Sequence, residues 1–329
     1  MIITKTPYRI SFCGGGTDIR EFYKNQCGMV VSSTIDKYLY VVVRKPLGLV
    51  ESKYRINYRN VEFCDSIDEI QHPIVRETLR YFKINIPLEI TTFADIPAST
   101  GLGSSSAFAV GLVSALSGIT GKLLSKMEMA RIASLIEIEI LGRKIGKQDH
   151  YASSFGGINL IRFNPDESVI VDPVPYSQEV LNLLNSWSLL FYTGQTRDAS
   201  AILEKQIANT QNKVENLIKL KTQVPLFVNL LADSKNTQEM GRLLSEGWEQ
   251  KKTLTPEISN SKIDELYEKA MIAGASGGKL LGAGGGGFLL FLADPRRHEK
   301  IREELNETID IQFNFEKEGT RISYYESGI

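Results

Sequence analysis

Residues 97–106 read Pro97-Ala98-Ser99-Thr100-Gly101-Leu102-Gly103-Ser104-Ser105-Ser106, and an apolar run, Ala107-Phe108-Ala109-Val110-Gly111-Leu112, follows at once. Glycine lets a backbone approach a ligand closely or turn left-handed. A helix starting behind such a turn points its unpaired amides, and the positive end of its dipole, into the loop. The serines add hydroxyl donors and oxygens able to face a metal. In chemical terms this is a phosphate cradle, with a ligand-free Ser-rich helix cap as the other reading. It lacks the Gly-Lys-Ser/Thr ending of a P-loop and the Gly-x-Gly-x-x-Gly spacing of a dinucleotide fold. The stretch from Ile96 to Gly121 carries no charge and is long enough to suggest a membrane span. Pro97 and the Gly/Ser cluster favour a turn into a buried helix instead, so no membrane partner is expected.

Outward from this loop the chain reads as an α+β mixture. Strands are expected near 7–12, 28–34, 38–44, 54–58 and 88–93, with helices near 68–82, 104–118 and 126–142. Three prolines, Pro165, Pro173 and Pro175, mark a passage between a first domain, 1–175, and a second, 176–329. The second is expected to hold helices over 197–220, 235–252 and 261–273, a Gly-rich turn, a strand at 286–292, a helix at 295–306 and strands at 311–315 and 320–325. The 329 residues are 42% hydrophobic with a formal net charge of -1. That composition fills a core and argues against both disorder and broad electrostatic capture of nucleic acid, while leaving room for a local basic pocket. Cys13, Cys27 and Cys64, with His72, His150 and His298, are too few for a disulfide framework or a histidine metal cluster. The opening residues have no signal-peptide run, which makes a cytoplasmic protein the default.

Three further stretches carry chemistry. Ser125 and Glu128 have capping-box spacing, so a helix starts near Lys126. Along it Arg131, Leu135, Glu139 and Arg143 form one stripe and read as surface electrostatics. Glu137 instead shares a face with Ala130, Ala133 and Ile140, where a carboxylate either needs a partner such as Mg²⁺ or is poorly buried and merely solvated. In Gly146-Lys147-Gln148-Asp149-His150, Asp149 is either an N-cap or a group that orients and deprotonates a hydroxyl attacking a phosphoryl group. In Pro7-Tyr8-Arg9-Ile10-Ser11-Phe12-Cys13-Gly14-Gly15-Gly16-Thr17-Asp18, a strand meets a glycine turn. Arg9 leaves that strand opposite Tyr8 and Ile10 and is able to stabilise phosphoryl charge. Asp18 is suited to sugar hydroxyls, or to an Asx cap in a plain turn.

In this order the elements resemble the GHMP kinase superfamily, named for galactokinase, homoserine kinase, mevalonate kinase and phosphomevalonate kinase. The third anchor, Gly274-Ala275-Ser276-Gly277-Gly278-Lys279-Leu280-Leu281-Gly282-Ala283-Gly284-Gly285-Gly286-Gly287-Phe288, completes the resemblance. It implies a two-domain α+β fold: a ribosomal-protein-S5-domain-2-like N-terminal domain and a ferredoxin-like C-terminal domain, with the site between them. It implies ATP phosphates on Pro97, Gly101, Leu102, Gly103, Ser104, Ser105 and Ser106, with Mg²⁺ at Ser105 and Glu137. Asp149 and Arg9 match the catalytic pair, and Gly284 and Gly285 belong to a second glycine surface near the substrate. Within the superfamily, Gly14-Gly15-Gly16-Thr17-Asp18 and Gly277-Gly278-Lys279 look most like the D-glycero-D-manno-heptose 7-phosphate kinases. Galactokinase-like chains carry Glu and His where Gly15 and Gly16 stand, and the lost side chains make room for a longer or phosphorylated sugar. Arg197 and Lys279 are candidate phosphate contacts on that substrate. The expected reaction is phosphorylation of an anomeric hydroxyl, in nucleotide-activated heptose synthesis, by a monomer or homodimer. Fucokinase, another anomeric sugar kinase, and a non-catalytic nucleotide-dependent regulator stay open as alternatives.

Overall fold

The computed structural model describes residues 1–47, 52–195, 199–232 and 236–326. In chain order its first half contains β1 (Ile2–Cys13), α1 (Arg20–Tyr23), β2 (Gly28–Arg44), β3 (Tyr54–Asn57), β4 (Val61–Cys64), α2 (Pro73–Tyr81), β5 (Leu88–Ala94), α3 (Ser104–Ile119), α4 (Lys126–Ser134), α5 (Gln148–Phe155), β6 (Ile158–Phe163) and β7 (Val169–Pro173). The second half contains α6 (Gln178–Trp187), β8 (Ser188–Tyr192), α7 (Ala199–Asn209), α8 (Val214–Leu230), α9 (Thr237–Lys252), α10 (Ser261–Ala273), β9 (Ala275–Leu280), β10 (Phe288–Ala293), α11 (His298–Glu304), β11 (Ile309–Asp310), β12 (Phe315–Glu316) and β13 (Arg321–Tyr325).

Two sheets organise these elements. The first runs β13-β1-β2-β5-β3-β4, with β6, β7 and β12 paired off its long strand β2. The second is the antiparallel ladder β11-β8-β10-β9. Two expected strands, 28–34 and 38–44, are one continuous β2. Asp36 and Lys37 do not break it, because the Asp36 carboxylate accepts bonds from the backbone and side chain of Asn314 (2.8 and 3.0 Å). The chain's last strands return to the first sheet, Phe315 opposite Ile35 and Ile322 opposite Thr4.

The apolar helix after the glycine loop is α3, buried along nearly all its length against β1 and β2. Among the described residues no helix is long and apolar enough to cross a membrane. Helices α8 and α9 bridge the two sheets: Phe227 of α8 stacks on Phe12 of β1 at 4.8 Å, while Trp248 of α9 is fully buried in the second core with Tyr267 and Phe291.

The expected helix over 126–142 is altered at the site. Ser125 and Glu128 form the capping box, but after Ser134 the backbone widens into a π-helical turn, Leu135–Ile140. Its wider winding shifts which residues share a face. Ala130, Ala133 and Glu137 are buried as expected, whereas Ile140 is exposed. Such turns are rare and concentrate at functional sites. The helix ends with Gly142 at φ 65° and a bond from Arg143 N–H to the Glu137 carbonyl six residues back (3.0 Å), which carries the wider π winding into the helix end.

Candidate active site

A cavity of about 730 Å³ opens between the first sheet, α3, the loop before α5 and the second glycine loop. One wall is the Pro97–Ser106 loop. Gly101 and Gly103 sit at φ 86° and 80°, a region open to glycine at little cost, and Ser99 is held at φ 64°. Gly103 precedes α3 without a side-chain cap, so that the first-turn amides lie at the loop. Ala98, Ser99, Gly101, Gly103, Ser104, Ser105 and Ser106 line the cavity. Leu102 faces the core, and its carbonyl accepts the Arg9 amide at 3.3 Å.

Arg9, nearly buried, grips Asp149 bidentately, Nε to Oδ1 and Nη2 to Oδ2, each at 2.7 Å. Its third arm donates to the Gly101 carbonyl, also at 2.7 Å. Asp149 lies in the first turn of α5 and does not cap it. A Cβ on Gly103 would stand 3.0 Å from Asp149 Oδ2, so carboxylate and loop are in contact.

Asp18 supplies the α5 cap from across the fold, accepting from Gln148 N–H (3.2 Å), Gln148 Nε2 (2.9 Å) and Gly16 N–H (3.0 Å). Burial pushes its carboxyl above the usual range and the Asp149 charge adds to this, against those backbone donors. Beside it the buried oxygens Ser11 Oγ and Gln148 Oε1 have no protein partner.

Glu137 is completely buried. It accepts from Ser105 Oγ (2.5 Å) and Arg143 Nη1 (2.6 Å) on Oε1, and its Oε2 lies 2.8 Å from His150 Nε2. Arg143 Nη1 also reaches Ser105 Oγ at 2.7 Å. Burial alone would raise this carboxyl; the bond and charge of His150, then Ser105 and Arg143, hold it below the usual range instead.

At the other side two lysines of the second domain, Lys251 and Lys279, are buried and line the cavity. Lys251 Nζ donates to the Gly282 carbonyl and Lys279 Nζ to the Phe12 carbonyl at 2.8 Å. Burial, then the charges of Lys279 and Arg9, lower Lys251 to about 7 against Asp18 and Asp149; burial lowers Lys279 to about 8, with Cys13 opposing and Arg9 adding a smaller push. The cavity's far end is apolar: Tyr58, His72, Ile74, Ile96 and Phe108, with the His72 ring 4.7 Å from Tyr58 and 5.0 Å from Phe108.

Residues 72–157 match the N terminal domain of the GHMP kinases and residues 226–311 their C terminal domain. The chain is 30% identical to D-glycero-alpha-D-manno-heptose 7-phosphate kinase of Campylobacter jejuni, over 97% of this chain and 98% of that one. This chain belongs to the GHMP kinase family. It is also 27% identical to L-fucokinase/L-fucose-1-P guanylyltransferase of Bacteroides fragilis, over 92% of this chain but 36% of that protein. The solved structure described as a D-glycero-D-manno-heptose 1-phosphate kinase from Bacteriodes thetaiotaomicron superposes with a TM-score of 0.81 at 26% identity, covering 99% of this chain and 100% of that one. The two-domain α+β GHMP kinase fold accounts for the architecture described above.

The GHMP kinase fold gathers Arg9, Gly15, Gly16, Asp18, Gly101, Gly103, Ser105, Glu137, Asp149 and Lys279 around one cavity. It places other expected residues elsewhere. Pro97 stays behind the loop, its carbonyl bonded by Thr100. Gly14 lies against the Met29 carbonyl, and Thr17 bonds Gly14 and Met29, so both hold the turn together. Gly284 and Gly285 pack on Ile258, the latter through a 2.9 Å bond; Gly282 and Ala283 are the members of that loop at the cavity. Arg197 lies outside the described residues.

The expected stripe that put Glu139 and Arg143 together on the helix surface is corrected. Glu139 is half exposed and pairs with Arg20 at 3.0 Å, while Arg143 turns to Glu137. The π turn and the left-handed Gly142 rotate the two residues off the shared stripe. Sequence patterns gave no sign of Arg143, His150, Lys251, Ser11 or the apolar end. The Gly142 helix stop next to Arg143 was the one local cue, because a C′ glycine folds the following residue back over its own helix.

Proposed function

We propose that this GHMP kinase transfers the γ-phosphoryl group of ATP to the anomeric O1 of D-glycero-D-manno-heptose 7-phosphate, giving the 1,7-bisphosphate. The observation that carries the reading is the contact between Asp149, fixed by two Arg9 bonds, and Gly103 at the helix-N-terminal loop. A carboxylate held there positions the acceptor hydroxyl and accepts its proton as oxygen bonds to phosphorus and the β–γ bridging oxygen leaves with ADP. Arg9 keeps that carboxylate oriented, and the α3 amides hold phosphate oxygens. Asp18, with Gln148 Oε1 free beside it, is placed to accept sugar hydroxyls.

The residues present fit Mg²⁺ that arrives with nucleotide. Among the described residues no group of three or more His, Cys, Asp or Glu gathers to hold an ion alone. Ser105 Oγ and the Glu137 carboxylate do lie side by side at the loop, a donor set suited to an ion that shares its remaining ligands with phosphates. When bound, Mg²⁺ neutralises charge on the phosphate oxygens. The apolar end around Tyr58, His72 and Phe108 suits a planar base.

Two points favour a phosphorylated acceptor over a plain sugar such as fucose. The cavity is lined by five basic side chains, Arg9, Arg59, Arg143, Lys251 and Lys279, against three carboxylates, Asp18, Glu137 and Asp149. The Campylobacter jejuni relative, matched over 98% of its length, is named for a heptose 7-phosphate. We place the enzyme in the cytoplasm, as a monomer or homodimer.

A panel of heptose 7-phosphate, heptose 1-phosphate, fucose and galactose, read by phosphorus NMR, tests the assignment. A new anomeric phosphate on the 7-phosphate is expected, at a kcat/KM at least ~100-fold above the plain sugars, as for a site built around a charged group. Faster turnover of fucose overturns the substrate, and no ADP release with any acceptor overturns the kinase reading in favour of a nucleotide-dependent regulator.

A further inference from the structure

The two buried lysines lack the partner that a buried cation usually has. Lys251, near the end of α9, and Lys279, on β9, form no salt bridge with a carboxylate among the described residues; each is tied to a backbone carbonyl. Their tethers belong to opposite sides of the cavity. Gly282 packs on the phosphate loop, since a Cβ there would lie 2.5 Å from the Gly101 Cα, whereas Phe12 leads into the Gly14–Gly16 turn beside Asp18. The pair therefore stands at the junction of the two glycine loops. The residual exposure of both side chains opens into the cavity they line.

The charge around them is unbalanced. Arg9 is matched by Asp149 and Arg143 by Glu137, which leaves Asp18 as the nearby carboxylate for two ammonium groups. Taking an ammonium out of water without a counter-charge is costly, and a fold keeps such a pair only where something offsets it. Ser11 Oγ, nine-tenths buried, lining the same cavity one residue before Phe12 and without a protein partner, supplies an independent sign of a missing ligand. A Cβ on Gly15 would stand 3.8 Å from it, so the hydroxyl faces the open turn.

We propose that Lys251 and Lys279, with Ser11 Oγ, form a built subsite for a phosphate dianion at the junction of the two glycine loops. Lys251 is the new member and sets how strongly the site selects a phosphorylated ligand. The phosphate has two possible sources, the acceptor's own ester and the terminal phosphate of the nucleotide. The proposal rests on the kinase reading for those sources, and direct binding tests it independently of turnover.

The groups facing Lys251 are Lys279, Arg9, Asp18 and Asp149, and Lys279 also faces the Cys13 thiol, which burial raises to about 12 and keeps neutral. Because both lysines are held near 7 and 8, an entering dianion restores their charge and draws protons from solution.

The test is titration calorimetry of the whole chain at pH 8 with heptose 7-phosphate, unphosphorylated heptose, a non-hydrolysable ATP analogue and ADP, in two buffers of different ionisation enthalpy. Wild type is expected to take up protons with one phosphate-bearing ligand and not with its partner lacking that phosphate. Lys251→Met is expected to weaken that ligand at least tenfold and the partner less than twofold, with Lys251→Arg restoring most of the loss. A drop confined to heptose 7-phosphate assigns the subsite to the acceptor; one confined to the ATP analogue assigns it to the terminal phosphate. Equal affinities in wild type and Lys251→Met overturn the subsite. If Lys251→Met does not fold, Lys251→Gln takes its place under the same criterion. Loss of turnover with the tenfold binding difference intact would count against the kinase reading and not against this one.

Discussion

Replacing Asp149 by Asn tests the reaction centre most directly. The carboxylate accepts two 2.7 Å bonds from Arg9, and the Arg9 side chain is 5% exposed. An Asn offers one acceptor oxygen; its amide group turns a donor toward the guanidinium, so one charge-assisted bond becomes a donor–donor contact. Losing one such bond costs about 1.5–3 kcal/mol, and leaving the buried guanidinium without a counter-charge carries the total toward about 3–5 kcal/mol of stability. Arg9 keeps its bond to the Gly101 carbonyl, so the strand and loop should stay joined and the chain folded. If Asp149 takes the hydroxyl proton as proposed, its removal costs a separate ~10²–10⁴ in kcat, at the lower end if the transition state is loose. Nucleotide affinity should change little, because the α3 amides are untouched. The assay is ADP release at saturating ATP and acceptor, beside far-UV CD, a urea titration and ATP-analogue calorimetry. A folded Asn variant with kcat within tenfold of wild type would refute the role given to Asp149.

Glu137→Gln and Glu139→Gln separate a buried carboxylate from an exposed one on the same turn. The first should raise the Mg²⁺ concentration needed for half-maximal nucleotide binding at least tenfold, the second by less than twofold; equal effects, or a larger one at 139, contradict the site. Gly146→Ala would bring a Cβ within 1.8 Å of Asp18 Oδ2. Displacing that carboxylate by about an ångström should lower acceptor kcat/KM by roughly 10²-fold while leaving ATP-analogue affinity unchanged; loss of both would show that Gly146 supports the whole site. The lysines predict a pH trend. Lys251 and Lys279 are lowered from 10.5 to about 7 and about 8, so between pH 7 and 9 the unfolded chain binds more protons. Ligand-free stability from urea titrations should therefore rise with pH across that interval. Lys251→Met should flatten the slope, and an equal slope in the variant would show that Lys251 is not its source.

How much of this was legible in the chain depended on the range of the interaction. The order of glycine loop and apolar helix over 97–119 is a local matter, because backbone freedom and helix periodicity act within a few residues, and α3 appears within one residue of its expected bounds. Arg9, Asp18 and Asp149 carried their own chemistry within short motifs. The fate of the 126–142 helix was less visible. The sequence LIEIEI continues an α-helical pattern, and only packing of Ser105, His150 and Arg143 around Glu137 supports the π turn.

Local chemistry along the chain wrote the glycine turn and the helix that follows it, because both act within a few residues. Which charges meet is fixed by packing across the fold. Arg143 reaches Glu137 because of a changed helical winding. Lys251 reaches the cavity because α9 packs under a glycine loop some thirty residues later. Neither contact leaves a periodic trace along the chain, since each is fixed by the packing of elements that pair across the fold.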